Sequence, residues 1–223
     1  MPLPSIIAID GPGAAGKSTV GTIVAQKLGY SFVDTGEMYR ALTWLALHYN
    51  IDLTDEGMLS KLAAEAKIEV ACQEERGYNS VSINDFDVTA EIHSPRVEAG
   101  VSLVSKVAGV REALVAKQRR MAEKGNVIMA GRDIGTVVLP QAGLKVFLVA
   151  SAEERARRRH GEQLEEGNLD YKDILAELKK RDEIDSQRSL SPLHPAPDAS
   201  IINTEGLTAE QVADKIIDLA GGK

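Results

Sequence analysis

Residues Gly11, Pro12, Gly13, Ala14, Ala15, Gly16, Lys17 and Ser18 fit the pattern G-x-x-x-x-G-K-[ST], and no other stretch constrains the fold as tightly. The pattern has a mechanism. Its glycines let backbone N–H groups turn inward around phosphate oxygens, and a helix beginning near the lysine adds its positive end. The Lys17 ammonium then meets the outer phosphates, and the Ser18 hydroxyl can ligate Mg²⁺. A chance glycine turn would lack the flanks this requires, a buried strand before it and an amphipathic helix after it. Both are present. Ile6, Ile7, Ala8 and Ile9 make a continuous apolar run within 5–10, while Val20, Ile23, Val24 and Leu28 give an apolar face to a helix over about 17–28, stopped by Gly29. The stretch from Gly11 to Thr19 is expected to cradle a nucleoside triphosphate. It is silent on any second reactant.

The rest of the chain continues the strand–helix alternation. A short strand at 31–34 precedes a helical pattern over about 38–49 carrying Leu42, Leu45 and Ala46. Runs at 127–130, 144–149 and 200–203 read as buried parallel strands, with helical patterns between and after them, the last over about 208–219. This predicts an α/β fold of three layers around a five-stranded parallel sheet. Two segments break the rhythm. Over 68–91 the β-prone pieces IEVAC, NSVSIN and FDVTAEI, separated by polar and glycine turns, suggest a small antiparallel insertion. Over 152–188 the chain is highly charged and helix-rich, interrupted near Gly167 and Asn168, with too little apolar surface for a core; it is expected to project over the sheet edge as a cover. A proline-rich connector at 193–198 leads into the last strand.

Composition sets limits on function. With 223 residues and 43% hydrophobic content the chain can bury a substantial core. Its 33 acidic residues outnumber 26 Lys and Arg, a formal charge of −7 that argues against nucleic-acid or anionic-lipid binding. Any polyanion site must therefore gather its cations locally. Cys72 is the only cysteine, so neither an internal disulfide nor a cysteine-based zinc site is available; it is expected to pack in the insertion as a small hydrophobe. His48, His93, His160 and His194 are scattered without ligand spacing. The N-terminal stretch lacks a basic region, and nowhere do about 18 apolar residues run together, which predicts a cytoplasmic protein. No additional apolar helix face stands out, and a monomer is expected.

Several further motifs stand beside the phosphate loop. IAIDGPGAAGKST at 7–19, DTGEMYR at 34–40, VREAL at 110–114, AGRDIGTVV at 130–138, FLVASAEERARRR at 147–159 and RDEIDSQR at 181–188 together resemble the bacterial cytidylate kinases. The resemblance spans nearly the whole chain in order, the insertion included. It implies a nucleoside-monophosphate kinase of the P-loop class that phosphorylates CMP, and dCMP, from ATP by Mg²⁺-assisted in-line transfer. It also implies one kinase domain over 1–223, with its core at 1–37, 111–151 and 190–223, an acceptor-binding insertion over about 38–110 and a helical lid over about 152–189. Two departures stand out: Gly13 and Ala14 replace the Ser and Gly that members often carry, and Val149 stands where some carry Asp. The strand at 144–149 thus offers no carboxylate there, leaving the metal to Ser18, phosphates and water, with Asp10 or Asp34 acting through water.

The chemistry agrees with the inventory. A nucleoside monophosphate has a second phosphate pKa of about 6, so its attacking oxygen is already ionised and no base is required. The task is to bring two polyanions together and neutralise charge. Lys17, Arg40, Arg132, Arg155, Arg159, Arg181 and Arg188 supply that charge. By the resemblance, Lys17, Arg132, Arg181 and Arg188 act on the transferring group, Arg181 bridging donor and acceptor. Arg155 or Arg159, or both, reach ATP phosphates. Thr35 and Arg40 hold the acceptor phosphate, Tyr39 packs on the nucleotide, and Asp185 and Arg188 contact its ribose and phosphate region. Ser102, Arg111 and Asp133 read the cytosine edge, where a carboxylate can accept from N4–H₂ and a cation or hydroxyl can donate to N3 and O2. Blander readings stand beside these: Arg40 and Arg111 as solvated helical arginines, Asp133 as a turn cap, and Arg181 with Asp185 as an ordinary i, i+4 pair. UMP or another small acceptor, and a slow nucleotide switch, are the rival functions; the N-K-x-D element of guanine-dependent switches is missing.

Overall fold

A computed structural model describes residues 2–73, 78–163, 170–188 and 190–221, with backbone only at 71–73, 78, 79, 162 and 163. In chain order, β1 (Ile6–Asp10) is followed by α1 (Lys17–Leu28), which ends at Gly29 in the left-handed conformation, φ 67°, that glycine adopts without a Cβ penalty. Next, β2 (Ser31–Asp34) runs straight into α2 (Thr35–His48). Periodicity alone starts this helix at 38. It begins three residues earlier because the Asp34 carboxylate accepts from Gly36 N at 2.8 Å and caps it. After α3 (Glu56–Glu65), β3 (Ile68–Gln73), β4 (Tyr78–Ile83) and β5 (Phe86–Asp87) form the antiparallel insertion, with Val70 opposite Val81 and Ile83 opposite Phe86. The piece FDVTAEI contributes only two strand residues. Thr89 folds back, its hydroxyl 2.6 Å from the Asp87 carboxylate, and Glu91–His93 coil into a 3₁₀ turn.

The chain continues through α4 (Pro95–Val104), α5 (Ala108–Ala122), β6 (Val127–Gly131), a single π turn at Ile134–Val138, β7 (Leu144–Val149), α6 (Ala152–Gln163), α7 (Tyr171–Ser186), β8 (Ser200–Asn203) and α8 (Ala209–Leu219). The five-stranded parallel sheet has the order β2-β6-β1-β7-β8. Ile7 lies opposite Leu144, and Val146 opposite Ser200. With β1 in the middle, the loop at its carboxyl end sits where strand order reverses, the position at which open α/β sheets bind ligands.

The chain divides into two compact units, 1–30 with 128–223 and 31–127. In the first, Ile7, Ala8, Ile9, Ile128, Met129 and Leu148 are fully buried. Helices α1 and α8 pack together, and α8 is opened by a reciprocal capping box between Thr208 and Gln211. Helices α6 and α7 share a cluster of Ala156, Ile174 and Leu178. The cluster is small, as so charged a segment allows, and Ala14 of the phosphate loop packs against it. In the second unit α2 is central: Met38, Leu42 and Leu45 are buried in one cluster with Leu59, Ile83, Ile92, Val101 and Leu114. Among the described residues no helix is long and apolar enough to cross a membrane. The Cys72 side chain lies outside the described residues.

Candidate active site

The phosphate loop is shaped by two glycines. At Gly11, φ 148°, a Cβ would lie 2.4 Å from the Leu148 carbonyl oxygen, which is backbone and cannot yield. Gly16, φ 88°, turns the chain into the first turn of α1. Lys17 is buried, and its Nζ donates to the Pro12 carbonyl at 2.7 Å. Ser18 and Thr19 stand exposed at the helix start.

Around this loop the first unit gathers arginines, several of them turned onto a carboxylate or carbonyl. Arg155 of α6 is 4% exposed. Its Nη1 donates to the Gly13 carbonyl at 3.0 Å and its Nε to Ala150 O at 3.1 Å, while Nη1 and Nη2 clasp the Asp182 carboxylate at 3.2 and 2.5 Å. Arg132 follows β6, and its Nη2 lies 3.5 Å from where a Cβ on Gly13 would be. Its Nε donates to Asp185 Oδ2 at 2.9 Å, and Arg188 pairs with Asp185 Oδ1. Burial alone would raise the Asp185 pKa, but the charges of Arg132, Arg188 and Arg181 and the Arg132 hydrogen bond outweigh it, and the carboxyl stays below its ordinary value. Asp185 is therefore the centre of a cation cluster, more than the partner of Arg181 alone. Within the run 157–159, Arg158 turns inward: its Nη1 and Nη2 donate to Thr204 Oγ1 and O at 3.0 and 2.7 Å. Arg159 and Arg181 are half-buried.

Asp10, at the end of β1, is 4% exposed, and its oxygens accept from Ile134 N at 2.8 Å and Gly135 N at 2.7 Å. Burial pushes its pKa up to about 6 against these two bonds; the Asp133 charge adds to the rise and Lys17 opposes it. Asp133 is buried ahead of the π turn, and its side chain makes no capping bond to that turn. Its carbonyl does the capping, accepting from Val137 N at 2.8 Å.

The second unit holds the other expected residues. Thr35, Tyr39 and Arg40 occupy the first two turns of α2, Thr35 and Tyr39 buried. The Arg40 side chain is 16% exposed and its Nε donates to Glu98 Oε1 of α4 at 2.8 Å. Burial disfavours its charge, yet Glu98, Asp34 and Glu37 raise its pKa overall. Arg111 of α5 is 6% exposed, donates to Ser105 O at 3.5 Å, and holds its Cζ 5.8 Å from the Tyr39 ring centroid. Neither Arg40 nor Arg111 is the solvated arginine that a helix surface would give. Ser102, on α4, is half-buried.

Sequence reasoning missed Asp182 and Glu98, the carboxylates that aim Arg155 and Arg40. Nothing in the sequence distinguishes them from solvated helical acids.

Mg²⁺ fits the donor set in one way. Both Asp10 oxygens accept backbone N–H groups, and Asp34 Oδ1 caps α2. Among the described residues no three His, Cys, Asp or Glu cluster as metal ligands. Ser18 is exposed at the start of α1, and Mg²⁺ readily completes its octahedron with phosphate oxygens and water.

Comparison with known proteins closes the argument. The family model described as cytidylate kinase matches residues 7–221. The cytidylate kinase of Bacillus licheniformis is 49% identical over 218 residues, 97% of this chain and 96% of that protein. That of Desulforamulus reducens is 50% identical over 212 residues, 95% and 94%. Among solved structures, a gluconokinase from Sinorhizobium meliloti superposes with TM-score 0.53 at 14% identity, covering 99% of this chain and 94% of that one, and so shares the fold. Matched by that family model over residues 7–221 and about half identical to those relatives over nearly its whole length, the chain belongs to the cytidylate kinase family.

Proposed function

We propose that the protein transfers the γ-phosphoryl group of ATP to CMP, and to dCMP, acting as a cytoplasmic monomer. The observation that carries the reading is the cluster around Asp185: guanidinium groups of Arg132 and Arg188 are turned inward onto one buried carboxylate. A carboxylate can occupy a phosphate's place among arginines in charge and in geometry. Guanidinium groups gathered on such a carboxylate are also placed to receive nucleotide phosphates, with Asp185 still orienting them.

In this reading Gly11 to Thr19 hold the ATP phosphates, with Arg155 and Arg159 beside them, and the Lys17 ammonium exchanges the Pro12 carbonyl for a phosphate oxygen. Thr35 and Arg40 bind the CMP phosphate, and Tyr39 packs on the nucleotide. Asp133 accepts from cytosine N4–H₂, with Ser102 and Arg111 at the same edge. Arg132, Arg181 and Arg188 neutralise charge as the phosphoryl group passes from donor to acceptor, and Asp185 orients them. The acceptor oxygen is ionised before it arrives, so no side chain has to remove a proton. Ser18 would hold Mg²⁺, which when bound offsets charge on the phosphate oxygens. Helices α6 and α7 act as the lid, excluding water that would otherwise hydrolyse ATP.

The test is ADP release by the purified protein with ATP and magnesium against a panel of CMP, dCMP, UMP and gluconate. CMP and dCMP are expected to give the highest kcat/KM. Faster turnover of UMP or gluconate would reassign the acceptor, and ADP release at the same rate without any acceptor would favour a nucleotide switch.

A further inference from the structure

One buried carboxylate has no part in the chemistry above. Asp10 ends β1 and spends both oxygens on the backbone amides of Ile134 and Gly135, the residues that open the π turn directly after Arg132 and Asp133. An ionised group in the interior is costly unless its lone pairs are bonded, and these bonds serve main chain rather than another side chain. The junction is also crowded. A Cβ on Gly135 would sit 3.3 Å from Asp10 Oδ2 and 3.1 Å from Lys145 Cδ, so a side chain at residue 135 would press on this junction. Gly11 follows Asp10 in the chain. One side chain thus ties the start of the phosphate loop to the segment that carries Arg132 and Asp133.

We infer that Asp10 is a positioning residue for acceptor recognition: its two hydrogen bonds fix the main chain at Ile134 and Gly135, and through it the direction in which Asp133 meets the base. The inference rests on the reading that Asp133 recognises cytosine, and the experiment separates the two. Asp10→Asn keeps the shape but places an NH₂ where one oxygen accepted, so one buried amide loses its partner.

The measurement is kcat/KM for CMP and for UMP in four proteins: wild type, Asp10→Asn, Asp133→Ala and the double variant. Asp133→Ala is expected to lose most of the CMP-over-UMP preference. Asp10→Asn should lower the CMP:UMP ratio about tenfold, with KM for ATP within about twofold of wild type. In the Asp133→Ala background, Asp10→Asn should change the ratio little further, because it acts through a side chain already absent. A general loosening of the fold would not give that non-additivity. If Asp10→Asn does not fold, Gly135→Ala, which presses on the same junction with Asp10 intact, takes its place. A wild-type CMP:UMP ratio in Asp10→Asn beside a collapsed ratio in Asp133→Ala would overturn the inference alone, as would a change confined to KM for ATP. A preserved ratio in Asp133→Ala would overturn the reading of Asp133 and the inference with it.

Discussion

The phosphate loop and the helical pair α6–α7 are neighbours in the first unit, yet they are held by different kinds of force. The loop is defined by its own backbone: Gly11 lies against the Leu148 carbonyl, Gly16 takes a positive φ, and Lys17 bonds the loop's own Pro12 carbonyl. Among the described residues the helical pair shares a small apolar cluster of Ala156, Ile174 and Leu178, and it is also tied by ion pairs, Arg155 with Asp182 and Arg132 with Asp185. Local geometry fixes the first. The second is fixed by partners distant in the chain and by charge, so it responds to anything that supplies competing charge.

The sharpest way to break this contrast is Asp185→Ala. It leaves Arg132 and Arg188 facing one another without their carboxylate, and a loss of about 3 kcal/mol in unfolding free energy is expected from urea titration at neutral pH. A loss under about 1 kcal/mol would mean that the cluster does not hold the helices. The pH dependence has a definite sign. Asp185 has a depressed pKa, so its contribution is full above the unfolded value of 3.8 and fades as pH falls through the folded one; the variant and wild type should converge only in acid. Asp10 works in the opposite sense. Its folded pKa of about 6 exceeds the unfolded 3.8, so its ionisation weakens the fold above about 6, and the penalty is relieved as pH falls between the two values.

A smaller effect is expected from Asp182→Asn, which loosens the clasp on Arg155 and with it the Gly13 carbonyl. KM for ATP should rise about fivefold with kcat nearly unchanged. A change in KM for CMP alone would show that Arg155 does not serve the donor side. The least effect belongs to Lys27→Met. Lys27 bridges Glu210 and Asp214 at 2.7 Å each with its side chain 40% exposed, and the shift in the urea midpoint should be barely measurable. A larger shift would make surface charge a real support of the α1–α8 pairing.

The same contrast explains what was legible beforehand. The strands at Ile6–Asp10, Leu144–Val149 and Ser200–Asn203 and the loop between β1 and α1 are written in local pattern, and they fall where apolar runs and glycines put them. Where a side chain reached past its neighbours, pattern failed. Asp34 capped α2 four residues upstream of its first apolar residue, Thr89 turned the chain out of β5, and the turn at Ile134–Val138 took a π form stabilised by Asp10 from far away in sequence. The expected arginines could be named from motifs. Their partners Asp182 and Glu98 could not, because a carboxylate on a helix reads the same whether it faces water or a guanidinium.

The bond from Lys17 Nζ to the Pro12 carbonyl has a consequence for ligand binding. Folding has already stripped most of the water from this ammonium and given it a neutral oxygen as placeholder. In the proposed reading an arriving nucleotide would not have to dehydrate the cation; it would replace a weak acceptor with an anionic one. Affinity at this point would then turn on that exchange of oxygens, and a ligand offering only a neutral carbonyl there would gain little.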